Sequence, residues 1–242
     1  MDLKIKDVAE LLNVSETTVR RWVTENKIPS YRINQHYYFS RTEIENWVIS
    51  HQLAKTHGSS PFKNKEKESA IPKNTAKGGS KQFSLFRAVH KGDVLHNLPG
   101  LTKEEIIRTT MKTVAKKLHL DADVMVDLLL DREQMMPTAL NNGIGVPHTR
   151  DSLLNGHQDA VIVVFPKEDL QYGALDGIPV HTLFFLFACE DKRHLHLLAK
   201  IAHLSSQPQT VEFFKTKPSK EALLEYLKNW ESQIAHESST AE

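Results

Sequence analysis

Hydrophobic and polar positions divide the chain into three stretches. At the start, Val8, Leu11 and Leu12 share one helical face after Asp7, an expected N-cap, and Asn13 is expected to end that helix in a left-handed turn. Ser15 is expected to cap a second helix with Val19, Trp22 and Val23 on one side and Glu16, Thr17, Arg20 and Arg21 elsewhere. Beyond Pro29, the aromatic and polar run Tyr31 to Phe39 around Asn34-Gln35 predicts a β-hairpin. Ser40 and Glu43 form a capping-box pattern ahead of a third helix with Ile44, Trp47 and Val48 on its apolar side. From His51 to Gln82 no apolar period survives, and this stretch reads as a disordered linker.

From Phe83 onward the periodicity returns. Thr102 to Leu118 carries Ile106, Ile107, Met111, Val114 and Leu118 at helical intervals, with Thr102 and Glu105 as a capping box. Asp121 or Asp123 opens a second helix through Leu130, which is expected to be interrupted at Asp131-Arg132. Asp159 to Phe165 and Val180 to Cys189 are continuous apolar runs, as expected of strands buried on both faces, with a turn at Gly173 to Gly177 between them. Asp191 to Leu204 and Ser219 to Trp230 predict two more amphipathic helices. Helices interleaved with strands give an α/β layer domain with flanking helices, preceded by a small winged helix-turn-helix.

Charge sharpens this division. Residues 1–50 hold seven Lys/Arg and seven Asp/Glu, residues 51–82 seven and two, and residues 83–242 seventeen and twenty-one, which add to the net charge of +1. A basic connector thus separates a neutral head from an acidic body. The expected units are a head over 1–50, a linker over 51–82 and a body over 83–236. The longest strongly apolar stretch, Leu183 to Cys189, is too short to cross a bilayer, and the charged start lacks a signal-peptide run, so the expectation is a cytoplasmic protein without membrane insertion. Cys189, the single cysteine, cannot form an internal disulfide and is expected to be buried.

The head resembles the MerR/excisionase-type winged helix family through Val8-Ala9-Glu10-Leu11-Leu12-Asn13-Val14-Ser15, Thr18-Val19-Arg20-Arg21-Trp22, Lys27-Ile28-Pro29 and the Phe39-Ser40-Arg41 to Trp47 segment. The resemblance implies duplex DNA as a partner, with Thr17, Arg20 and Arg21 on the recognition helix and Arg32 at the wing-side phosphates. A head of this size covers one short half-site, so useful affinity calls for a homodimer or a second partner. The alternative role for the head is protein binding.

In the body, Asp131 to His148 resembles the signature of type-2 EIIA domains of the phosphotransferase system, the fructose/mannitol class and its PtsN-like nitrogen-regulatory branch. The resemblance runs over roughly residues 83–230. It rests on the Leu-Leu-x-Arg-Glu entry at 129–133, the Gly-Ile-x-Val-Pro-His exit at 143–148, and the His194-Leu195-x-Leu197-Leu198 segment. It implies that His148 is the phosphorylated histidine, that His194 and Arg132 assist it, and that an HPr/NPr-like phosphocarrier is the donor. A neutral imidazole is nucleophilic near pH 7, and the transfer asks mainly for in-line positioning and donors around the phosphoryl oxygens. His194 is expected at a helix start, where unpaired N–H groups favour an anion. Gly143 and Gly145 are expected to let backbone approach the phosphoryl group or the partner.

Where the family usually has Gly-Ser-Thr-Gly, this chain has Met136-Pro137-Thr138-Ala139, and Asn141, Gly145 and Thr149 replace a glycine, an alanine and a glycine. These changes keep both histidines and the arginine while reshaping the loop that meets the donor. His194, His196 and His203 lie close in sequence, but no cysteine or carboxylate pattern accompanies them, so no metal and no cofactor is assigned. Two functions follow. One is a phosphorylation-sensitive transcriptional regulator; the other is a phosphocarrier for a sugar transporter on separate chains, with the head as scaffold.

Overall fold

The structure is a computed structural model that describes residues 2–12, 14–33, 36–53, 83–149, 159–174 and 176–240. The linker expected over 51–82 lies outside the described residues from 54 onward, as do Asn13 and the hairpin tip Asn34-Gln35. No described helix is long and apolar enough to cross a membrane.

The head begins with a strand the sequence did not announce. β1 (Asp2–Lys4) leads directly into α1 (Ile5–Leu12), followed by α2 (Glu16–Thr24), β2 (Tyr31–Ile33), β3 (His36–Ser40) and α3 (Arg41–Leu53). Asp7 does not cap α1 from outside. It lies in the first turn and its carboxylate accepts from the Lys4 N–H at 3.0 Å, the backward-reaching half of a capping box. Ser15 caps α2 as expected, accepting from the Thr18 N–H at 3.1 Å. β3 pairs antiparallel with both β1 and β2, making a three-stranded sheet of order β1-β3-β2. Trp22 and Trp47 meet at 5.4 Å between ring centroids, joining α2 to α3 inside the head core.

The body is a mixed four-stranded sheet between helical layers. Its elements are α4 (Ser84–Lys91), β4 (Val94–Leu98), α5 (Lys103–Leu118), α6 (Ala122–Met135), β5 (Ile144–Gly145), β6 (Ala160–Pro166), β7 (Thr182–Phe187), α7 (Asp191–Ser205), α8 (Pro208–Lys215) and α9 (Lys220–Thr240). The strand order is β4-β6-β7-β5, with β6 and β7 antiparallel and each edge strand parallel to its neighbour. Strand alternation splits the two apolar runs between faces. Val161, Val163, Phe165, Phe184 and Leu186 join the core with α4, α7 and α9, while Ile162, Val164, Leu183, Phe185 and Phe187 join that with α5 and α6.

Three local expectations are corrected. α6 is not interrupted at Asp131-Arg132 but runs to Met135, because Arg132 and Glu133 are buried and find tertiary partners that keep the last turn intact. Cys189 is half-buried rather than enclosed. The glycines of the signature serve the sheet. A Cβ on Gly143 would lie 2.6 Å from the His181 ring, and one on Gly145 would lie 2.7 Å from Leu183, so both allow β5 to close against β7 and its approach.

Candidate functional site at the end of the parallel strand pair

The route to His148 starts at the end of α6. The Glu133 carboxylate accepts from the Thr138 N–H at 3.2 Å and from the Thr138 hydroxyl, fixing the loop just after the helix. Thr138 then offers its carbonyl to the Val146 N–H at 3.0 Å, and Leu140 donates to the Ile144 carbonyl at 2.6 Å. This small hairpin feeds β5, whose continuation runs alongside β7. His148 bridges to Leu186, and the Leu186 N–H donates to the Pro147 carbonyl at 3.0 Å. Burial pushes the Glu133 carboxyl up against the pull of its Thr138 hydrogen bonds.

The His148 side chain is fully buried and its Nδ1 lies 2.7 Å from the Val146 carbonyl. A carbonyl can only accept, so Nδ1 carries the proton and the imidazole lone pair sits on Nε2. β7 ends beside it, and α7 brings in His194, with the two rings 5.0 Å apart between centroids. His194 is the fourth residue of α7, and its own N–H already donates to the Glu190 carbonyl at 2.9 Å. The expected anion site at an open helix start is therefore corrected: the imidazole, not the backbone N–H, faces His148. Burial holds the His194 pKa well below its usual range, with nearby His148, Arg41 and Arg132 acting in the same direction.

Arg132 is buried at the end of α6. Its Nη1 donates to the Met136 carbonyl at 2.9 Å, bracing the entry loop, and its Nη2 donates to Asn46 Oδ1 of the head at 3.2 Å. The three body residues His148, His194 and Arg132 are thus brought into one buried neighbourhood. Thr17, Arg20, Arg21 and Arg32 are not part of it. They remain exposed on the head, with Arg20 3.7 Å from Glu16 and the Arg32 guanidinium 5.8 Å from the Tyr37 ring centroid.

One buried neighbour of the two histidines escaped the sequence reading. Glu45 of α3 is 1 % exposed, and a carboxylate oxygen of Glu45 lies within 4.8 Å of a ring nitrogen of each histidine. Its Oε1 is 3.5 Å from His194 Nε2 and accepts from Arg41 Nε at 3.0 Å. A signal was present: Glu45 follows Ile44 and precedes Ile49 by four residues, so it borders an apolar face of its helix. By distance alone the three groups could hold a small cation. However, Arg41 already neutralises Glu45, and Arg41 and Arg132 both bear on His194, so the surrounding charge favours an anion. His196 and His203 are engaged elsewhere, with Ser84 and Trp230.

Comparison with known proteins fits this arrangement. The sequence model described as "Phosphoenolpyruvate-dependent sugar phosphotransferase system, EIIA 2" matches residues 88–230, more than half of the chain. The chain belongs to this EIIA type-2 family. A second family, described as a helix-turn-helix domain, matches residues 3–52. The nitrogen regulatory protein of Pseudomonas aeruginosa is 33 % identical over 143 residues, covering 57 % of this chain and 91 % of that protein. That of Escherichia coli (strain K12) is 31 % identical over 106 residues, covering 42 % and 63 %. Among solved structures, the nitrogen regulatory protein IIA-Ntr from Neisseria meningitidis shares the fold, with a TM-score of 0.51 at 24 % identity, over 57 % of this chain and 93 % of that one. The relatives thus align with the body of this EIIA-family chain, and its head is an addition of helix-turn-helix type.

Proposed function

We propose that the chain is a phosphoryl-accepting regulator. In this reading, residues 83–236 accept a phosphoryl group on His148 from an HPr/NPr-like phosphocarrier in the cytoplasm, and residues 1–50 bind duplex DNA to regulate transcription. The observation that carries it is the Nδ1–H of His148 held at 2.7 Å by the Val146 carbonyl, which puts the nucleophilic lone pair on Nε2.

The transfer is a simple exchange. The Nε2 lone pair attacks the phosphorus of the donor phosphohistidine, a new N–P bond forms, and the donor N–P bond breaks with its electron pair returning to the donor imidazole. The proton on Nδ1 stays in its bond to Val146, so the step needs no separate base. His194, kept neutral by burial, can donate one N–H to a phosphoryl oxygen without adding charge to the resting site. Arg132 supplies a permanent positive charge close by and holds the entry loop through Met136. On the head, Arg20 and Arg21 of α2 and Arg32 of β2 are exposed, which supports a reading in which the first two meet a groove and the third a phosphate.

The test is intact mass after incubation with a phosphohistidine carrier. Wild type should gain one acid-labile phosphoryl group and His148→Ala none, while His194→Ala should still be labelled, about 100-fold more slowly for loss of a positioned donor. Equal labelling of His148→Ala would move the acceptor elsewhere.

A further inference from the structure

The chain's own head lies against the buried His148. His148 is fully buried and His194 and Arg132 are each 3 % exposed, so a donor protein cannot bring its phosphohistidine to Nε2 in this arrangement. Against the site, α1 and α3 pack on α7, with buried residues of all three in one continuous apolar cluster and a carboxylate oxygen of Glu45 within 4.8 Å of a ring nitrogen of each histidine. The polar contacts across this surface are specific. Asn46 Oδ1 accepts from Arg132 at 3.2 Å, and Arg41 Nη1 pairs with Asp191 at 2.6 Å while its Nε holds Glu45. Lys192 pairs with Asp7 at 3.1 Å. Glu45 therefore places a carboxylate oxygen beside both histidines, and Asn46 presents an oxygen to the arginine, as the oxygens of a phosphoryl group would.

We infer that the mouth of the phosphoryl site is a docking surface for the head, and that a docked head and a phosphoryl group on His148 exclude each other. The inference rests on the phosphoryl-acceptor reading of His148 given above. Two effects act together. A phosphoryl group on Nε2 needs space beside the histidines that Glu45 of α3 now occupies, and its oxygens compete with Glu45 for Arg41 and with Asn46 for Arg132. Docking in turn hides His148 from the donor, so the head must leave before transfer and is kept away after it. The occupant is residues 2–53 of the same chain, as the contacts above show, and the donor carrier competes for the same place.

The DNA-facing side is not what docking hides. Thr17, Arg20, Arg21 and Arg32 stay exposed in the docked head. The head surface used for docking is that of α1 and α3, leaving α2 outward. The device consequently controls access to His148 first, and reaches DNA through the freedom of the released head.

The experiment uses the full chain, phosphoramidate as a small phosphoryl donor, and two readouts: intact mass and radius of gyration by solution scattering. Wild type should be compact before labelling and expanded after it, whereas His148→Ala treated identically should stay unlabelled and compact. A double variant, Arg41→Glu with Lys192→Glu, sets carboxylates against Glu45, Asp191 and Asp7 without touching the body residues at the site. It should be expanded from the outset and take up phosphate at least about 10-fold faster than wild type, with the population of undocked heads. A chain that gains a phosphoryl group on His148 and keeps its unlabelled radius would overturn the inference while leaving the acceptor reading intact. So would a double variant as compact and as slow as wild type. No labelling of His148, even in an expanded double variant, would instead bring down the acceptor reading and the inference with it.

Discussion

His194 makes the chain's stability depend on pH in a way that one substitution can remove. The imidazole is 3 % exposed, and its pKa is held well below the ordinary 6.5 chiefly by burial, then by His148, Arg41 and Arg132. Glu45 lies 3.5 Å away, but its carboxylate is already engaged by Arg41, so desolvation prevails over attraction. The unfolded chain binds this proton near pH 6.5 and the folded chain does not. Stability is therefore fully present above 6.5 and falls as pH drops below it towards the folded pKa. The slope approaches about 1.4 kcal/mol per pH unit for one proton only well below 6.5, so lowering the pH from 6.5 to 5.5 should cost about 1 kcal/mol through His194 alone. His181, also held low mainly by burial, adds a share common to wild type and variant. Urea unfolding of wild type and His194→Gln at a series of pH values between 5.5 and 7.5 isolates the term. The variant should lose about 1 kcal/mol less over the lowest unit, whatever its absolute stability. Parallel pH profiles for the two chains would refute the neutral, buried state of His194.

Two further substitutions probe other parts of the account. Glu231 of α9 is buried, accepts from the Leu85 and Phe86 N–H groups at the start of α4, and pairs with Lys200. Glu231→Ala should destabilise the chain by about 3–5 kcal/mol in urea unfolding, because it strands a largely buried ammonium, and Lys200→Met in the same chain should recover part of the loss. Arg21→Ala should weaken duplex binding by about 1–3 kcal/mol if the side chain reads a base edge. If it meets only phosphate, a salt titration should instead show a uniform loss across sequences and a slope lower by about one.

What the sequence made legible is what local chemistry controls. Ser15 and Thr102 cap their helices because a short side-chain oxygen reaches the N–H three residues on. The two apolar runs became β6 and β7 because only a central strand buries both faces at once. Elements fixed by distant partners were not legible. β5 is two residues long and exists through pairing with β7, and β4 has two polar residues in five. α6 continues through Arg132 and Glu133 because the Met136 carbonyl and Thr138 receive them, which a charged pair in sequence does not reveal. His148, His194 and Arg132 stood out through motif resemblance. Glu45 did not, since its place beside the histidines exists only where the head meets the body, 103 residues before His148.

The central claim, that the fold makes Nε2 of His148 the nucleophile, is tested most directly by locating the phosphorus on one atom. Phosphorylation at Nδ1 would strip the Val146 carbonyl of its bond in a buried place, at about 1–3 kcal/mol, a preference of roughly 5- to 150-fold for Nε2. The measurement is nitrogen–phosphorus correlation NMR on the full chain, labelled with nitrogen-15 in histidine and phosphorylated by a phosphohistidine carrier. The account predicts a single coupling, from phosphorus to Nε2 of His148, absent in His148→Ala. Coupling to Nδ1 of His148, or to any of the other twelve histidines, would contradict it.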